Sequence, residues 1–296
     1  MAIEAGGSKT LCALIDHDRR IRERVRVTTT DPHHTLAPIH DAIDRWCRTE
    51  QPPSAIGIAA FGPLGLDPTA SDYGHVLSTP KPGWTGFDWR GHFAERHRLA
   101  IALDTDVNAA ALAECQWGAG HGCNSLVYVT VGTGIGGGVV IDGRTLHGLM
   151  HAELGHVRPR RHPDDHDFPG ICPFHGDCLE GLASGPALAA RSGTPAETLP
   201  DDHPIWTLQS DYLGQLAAHI VLSLSPQRIV LGGGALRPHH MPTLRARLRH
   251  WLGGYLPQLD SPETLDRFLV SPGLGHDSGL LGAHLLARTA ADQTAD

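Results

Sequence analysis

The sequence predicts an α/β protein made of two related lobes. Of its 296 residues, 41% are hydrophobic and 19% charged, a balance that supports a packed core rather than a disordered chain. Short apolar runs of strand length alternate with segments of helical periodicity. A strand–glycine turn–strand unit at the start of the chain recurs after residue 125, as expected of two lobes sharing one plan.

Residues 1–4 form a short strand stub, Gly6-Gly7 a turn and residues 10–15 a second strand. A helix is expected over 35–48, where Leu36, Ile39, Ile43 and Trp46 recur at helical spacing. Residues 55–60 (AIGIAA) read as a buried strand, whereas 78–84 (STPKPGW) must be loop, because two prolines and a glycine forbid regular structure. A strand over 99–103 leads into Asp104-Thr105-Asp106 and an alanine-rich helix over 107–117 opening on Asn108. The pattern then restarts, with a strand at 125–131, a glycine turn over 132–138 and a returning strand at 139–141. Residues 162–176, rich in Pro, His and Asp, read as a loop insert. Beyond it come a helix at 206–224, a strand at 228–231, Gly232-Gly233-Gly234, and helices at 241–255 and 279–290.

A formal net charge of −8 argues against nucleic-acid binding, which calls for a basic surface. No apolar run approaches the roughly 18 residues of a membrane span, and the start MAIEAGGSKT is too short and glycine-rich for a secretory signal, so a soluble cytoplasmic protein is expected. Six cysteines are too few for a disulfide scaffold in a chain of this length. Cys12, Cys47, Cys115 and Cys123 are scattered and read as small buried residues. Of the 24 Lys and Arg residues only Lys9 and Lys81 are lysine. A compact ammonium approaches a phosphate as a point charge where a planar fork does not fit, which singles out these two positions.

Glycine loops after strands suit phosphate, because bare N–H groups reach the anion. Residues 6–10 (GGSKT) lack Walker A spacing, and Gly132, Gly134 and Gly137 match GxGxxG without the helix that a dinucleotide site needs next. Each turn alone is also explained as a tight turn. Three such turns together (Gly6, Gly7, Ser8, Lys9 and Thr10; Gly132, Thr133 and Gly134; Gly232, Gly233 and Gly234) fit one nucleotide held between two lobes. Asp106, at a strand end, is the best candidate for a general base, with N-capping of the following helix by Asp104 or Asp106 as the plain structural alternative. Cys172, His175 and Cys178 give C-x2-H-x2-C, spacing that can wrap one tetrahedral ion, with His156, His162 and His166 in contention as fourth ligand.

These residues resemble the ROK family of sugar kinases and repressors, in the actin-like superfamily. The likeness runs from Val131 through His156, with a GTGIGGGV core, then Gly148, Ala152, Gly155 and His156. It extends to AGGSKT, TDVNAAALAE and the triple glycine. EAGG, STPKPGW and CPFHGDCLEG look most like the zinc-containing bacterial fructokinase branch. Family kinases commonly carry Thr where Ser8 stands, a change that keeps the hydroxyl. The repressors carry a DNA-binding helix-turn-helix ahead of the first glycine turn, and here three residues precede Glu4.

The resemblance implies two actin-like (ribonuclease H-like) lobes hinged around a nucleotide cleft. The first would take residues 1–108 plus 277–296, and the second 109–276 with a zinc-binding insert at 157–178. It implies Mg-ATP-dependent phosphorylation of a hexose, fructose first, with glucose, mannose or N-acetylmannosamine as alternative substrates and a non-enzymatic sugar sensor as an alternative of another class. Asp106 would be the base, and Glu4 the carboxylate near magnesium. Asn108, Glu153, His156 and Glu180 would bind the sugar, with Lys81 lining its pocket. His156, Cys172, His175 and Cys178 would hold structural zinc. The resemblance also implies a homodimer.

Overall fold

The computed structural model describes residues 1–50 and 52–293. Gln51 and residues 294–296, which fall in the segments expected for the first lobe, lie outside the described residues. The first half contains β1 (Ala2–Ala5), β2 (Lys9–Ile15), β3 (Ile21–Thr28), α1 (Pro32–Trp46), β4 (Ala55–Ala60), α2 (Trp89–His97), β5 (Ala100–Thr105) and α3 (Asp106–Trp117). The second contains β6 (Ser125–Val131), β7 (Ile135–Ile141), β8 (Arg144–Thr145), α4 (Leu179–Ala183), α5 (Gly185–Ser192), α6 (Ile205–Leu224), β9 (Arg228–Gly232), α7 (Met241–Leu252), α8 (Pro262–Phe268), β10 (Leu269–Val270) and α9 (Ser278–Gln293). No helix among the described residues is long and apolar enough to cross a membrane.

The strands form two five-stranded sheets, ordered β3-β2-β1-β4-β5 and β8-β7-β6-β9-β10. In each, the first three strands run antiparallel and the last two join in parallel. The repeat expected from two glycine turns therefore extends to the whole sheet plan.

Side-chain size on the two faces of each sheet decides what packs there. Along β4, Ile56, Ile58 and Ala60 point to a core shared with α1 and α2, which includes Trp46, Trp84, Trp89 and Phe93. The opposite face carries Ala55, Gly57 and Ala59, and against it lies α9. A Cβ on Gly57 would stand 1.8 Å from the Ala283 carbonyl oxygen, so a side chain there would push α9 off the sheet. The second sheet repeats the device with α3. A Cβ on Gly138 of β7 would lie 2.1 Å from the Val107 carbonyl oxygen. Each sheet is thus covered on one face by the helix that follows the last strand of the other. The two helices also touch, for a Cβ on Gly282 would come within 2.0 Å of the Ala109 oxygen.

This packing corrects the reading of residues 132–138 as one long turn. Only 132–134 turn, and Gly136, Gly137 and Gly138 belong to β7, their missing side chains making room for α3 and for Leu154. The helix expected to reach residue 255 stops at Leu252, because Gly253 takes the left-handed conformation (φ 60°) and closes the last turn. α3 is capped by Thr105, whose Oγ1 accepts the Asn108 N–H at 3.1 Å, so neither Asp104 nor Asp106 serves as the cap. The strands β3, β8 and β10 and the helices α2, α4, α5 and α8 were not expected.

Candidate functional site

The first glycine turn joins β1 to β2 and is braced from the end of β3. Thr29 donates its N–H to the Ser8 oxygen (3.1 Å) and its hydroxyl to the Gly6 oxygen (3.0 Å), and also meets the buried Thr10 hydroxyl at 2.9 Å. The Gly6 N–H closes the turn on the Lys9 oxygen (2.9 Å), leaving Gly7 and Ser8 exposed. The second turn, residues 132–134, faces it across the cleft, because a Cβ on Gly7 would lie 2.9 Å from Thr133 Oγ1 and 3.5 Å from Lys81 Nζ. The third turn lies against the second. Gly233 adopts φ 108°, and a Cβ there would strike the Val131 backbone at 2.3 Å, which fixes glycine at this position on both counts. The structure therefore brings all three expected turns to one place.

Asp106 begins α3 at the end of β5, half-buried, with a carboxylate oxygen accepting the Val107 N–H at 2.9 Å. Burial raises its pKa to about 6, against the opposing pull of that N–H and of Lys81. Glu153 is pushed to about 7 by burial and then by the negative charges of Glu180 and Asp106. Glu4 is likewise raised to about 7, by burial first and Asp106 next, and its Oε2 is shielded from solvent with no hydrogen-bond partner. Glu180 accepts the Ile135 N–H at 2.9 Å, which ties it to the second turn. Several carboxylates thus crowd one cleft whose nearby ammonium groups belong to Lys9 and Lys81. Such a site favours the arrival of cations or protons.

Asn108 is buried and donates to Asp104 Oδ1 at 2.7 Å, while its own Oδ1 has no partner. Asp104 also accepts from Thr145 Oγ1 (2.9 Å) and lies 3.1 Å from His147 Nε2, an arrangement that raises the His147 pKa. A cavity of about 430 Å³ opens beside His147, between residues 64–72 and 147–150, and neither Asp106 nor the three turns line it.

His151 was not singled out by the sequence, yet it spans the cleft. Its Nε2 accepts the Leu64 N–H at 3.0 Å, so the proton sits on Nδ1, which faces Glu153 at 3.5 Å. Gly185 was missed as well, and its N–H donates to the Gly132 oxygen at 2.8 Å. The signal was present, for Ser184-Gly185-Pro186 combines a side-chain cap with proline in the first turn of α5.

The cysteine–histidine loop folds back onto the same region. His156 Nδ1 lies 3.5 Å from Cys178 Sγ and 3.8 Å from Cys172 Sγ, and Cys172 Sγ lies 3.7 Å from His175 Nδ1. All four donor atoms fall within 4.8 Å of one another. A tetrahedral zinc site with bonds of about 2.0–2.3 Å needs donor separations of roughly 3.5 Å, so the set fits that ion. His156, rather than His162 or His166, completes the group. Its Nε2 points the other way, 3.9 Å from Glu153. The insert has a second anchor. Arg191 grips the buried Asp165 with two bonds (2.9 and 3.0 Å), and Tyr212 donates its hydroxyl to the same carboxylate at 2.6 Å.

Comparison with known proteins gives this geometry its relatives. The ROK family profile matches residues 1–290. A fructokinase from Zymomonas mobilis is 41% identical, over 97% of this chain and 96% of its own length. A fructokinase from Pediococcus pentosaceus is 38% identical, over 98% and 97%. Among solved structures, a ROK hexokinase from Thermus thermophilus superposes with a TM-score of 0.76 at 29% identity, covering 99% of this chain and 98% of that one. With the profile spanning nearly the whole chain and full-length relatives at this identity, the chain belongs to the ROK family.

Proposed function

We propose that this protein transfers the γ-phosphoryl group of ATP to the 6-hydroxyl of fructose, releasing ADP and fructose 6-phosphate. The observation that carries the kinase reading is the meeting of the Gly7 turn with Thr133 across the cleft, beside Asp106. Two facing backbone turns can grip a polyphosphate while a carboxylate waits at the acceptor. Fructose is favoured over other hexoses by full-length relatives named fructokinase.

In this reading Gly6, Gly7, Ser8 and Thr10 hold phosphates from the first lobe, with Lys9 neutralising charge, and Gly132, Thr133 and Gly134 hold them from the second. Gly232, Gly233 and Gly234 back the adenosine. Asp106 accepts the proton of the sugar hydroxyl as that oxygen attacks phosphorus. Asn108, with its free Oδ1, and Glu153, His156 and Glu180 orient the sugar hydroxyls. The unpartnered Glu4 Oε2 fits a carboxylate set near magnesium, which when bound neutralises phosphate charge. Zinc on His156, Cys172, His175 and Cys178 would be structural, since four protein ligands leave no open position. The lobes, 1–108 with 277–296 and 109–276, close over the substrates and exclude water. Family resemblance also supports a cytoplasmic homodimer.

An ADP-release assay across fructose, mannose, glucose and N-acetylmannosamine tests the reading. Fructose should give the highest kcat/KM. A clear preference for glucose overturns the assignment of fructose, and no turnover with any of the four overturns the kinase.

A further inference from the structure

Lys81 was expected to line the sugar pocket, and its ammonium stands beside the first glycine turn. A Cβ on Gly7, in the first glycine turn, would stand 3.5 Å from Lys81 Nζ and 3.6 Å from its Cε, with Thr133 Oγ1 on another side at 2.9 Å. The ammonium therefore stands where the two phosphate-gripping turns face each other. Asp106 and Glu180 are the charges acting on it.

The approach is built in. Trp84, fully buried, donates its indole N–H to the Thr30 oxygen at 2.5 Å and packs edge-on against Phe61, with ring centroids 5.2 Å apart. Phe61 in turn carries the Lys81 ammonium 4.5 Å from its ring centroid. A cation resting on an aromatic face is held without an anion to neutralise it, and its N–H donors remain available elsewhere. Such a pre-set charge acts on a transition state without reorganisation.

Resting on the kinase reading above, we propose that Lys81 is a catalytic residue that contacts the γ-phosphoryl group during transfer, rather than a sugar ligand. As the sugar oxygen bonds to phosphorus, its proton passes to Asp106. The bond to the β–γ bridging oxygen breaks, and its electron pair leaves with ADP. Lys81 stays protonated throughout, donating to a phosphoryl oxygen whose position is shared by no stable substrate or product. A point charge suits a gap this narrow, and Lys81 is one of only two lysines, with Lys9, in a chain that otherwise uses arginine.

The test compares Lys81→Met with the unaltered enzyme, with Lys81→Gln as a second variant should the first fail to fold. Turnover of the sugar preferred in the substrate panel should fall on the order of 10²-fold in kcat, with KM for that sugar and affinity for MgADP changed less than about threefold. The variant should also lose the tightened binding of MgADP with aluminium fluoride and sugar, a mimic of the group in flight. A rise in sugar KM with kcat retained would return Lys81 to the sugar pocket and overturn the proposal. Unchanged kcat and KM would overturn it too. Failure of the kinase reading itself is separate, since it appears as no turnover by the unaltered enzyme.

Discussion

Asp106→Asn should lower kcat on the order of 10³-fold while ATP and sugar still bind, because the amide keeps the shape and loses the proton acceptor. The pH dependence carries the same signature. With the pKa raised to about 6, Asp106 is ionised and competent above that pH, and kcat/KM should fall tenfold per unit below it. In the variant this limb should vanish. The sign for stability is opposite. Because the folded-state pKa stands above the ordinary value of 3.8, the folded protein holds this proton more tightly than the unfolded chain does. The carboxylate's destabilising effect grows as pH rises from about 4 through 6 and is complete at neutral pH. Asp106→Asn should therefore melt no lower than the unaltered protein at pH 7, a gain that accompanies the lost function. Retained turnover, or a persisting acid limb, would show that another group takes the proton.

Removal of the proposed structural zinc is the second large effect. After chelation and resupply of magnesium, or in Cys178→Ser, KM for the sugar should rise at least tenfold, kcat should fall, and the 157–178 insert should become open to proteases. The ligand set explains why these losses come together. Cys178 stands two residues before Glu180, which accepts the Ile135 N–H at the second turn, while His156 turns its other nitrogen toward Glu153. In the proposed reading, losing the ion frees Glu153 and Glu180, the carboxylates assigned to the sugar, at once. The Asp165–Arg191–Tyr212 anchor should keep the base of the insert in place, since breaking such a buried pair itself costs about 3–5 kcal/mol. Apparent zinc-binding energies of about 10 kcal/mol or more in small structural sites indicate that this anchor does not replace the metal. Full activity in a preparation shown by elemental analysis to be free of zinc would contradict this account.

What the sequence disclosed follows from the physics of each signal. Glycine turns after apolar strands were legible, because local composition reports them, and so was the pairing of the two halves. The convergence of Gly7, Thr133 and Gly233 was not, since tertiary packing alone sets those distances. β3 went unrecognised although Ile21, Val25 and Val27 alternate with charged residues; its arginines masked a period of two on an edge strand. α2 has a weakly amphipathic sequence, and missing it hid a chain of hydrogen bonds from Asp44 through His97 and His40 to His92 (3.3, 2.8 and 2.8 Å). His40 is buried there and His97 half-buried. Lys81 stood out by its rarity, but nothing in STPKPGW says which way the loop folds, so its position beside the Gly7 turn was not legible.

The central claim is that fructose receives the phosphoryl group on its 6-hydroxyl between the two glycine turns. Incubation of the purified protein with magnesium, ATP and fructose, followed by phosphorus and carbon NMR of the sugar product, tests it directly. The account predicts a phosphomonoester coupled to carbon 6 and formed in equal amount with ADP. Phosphate on another carbon, or ADP released without any sugar phosphate, would contradict it.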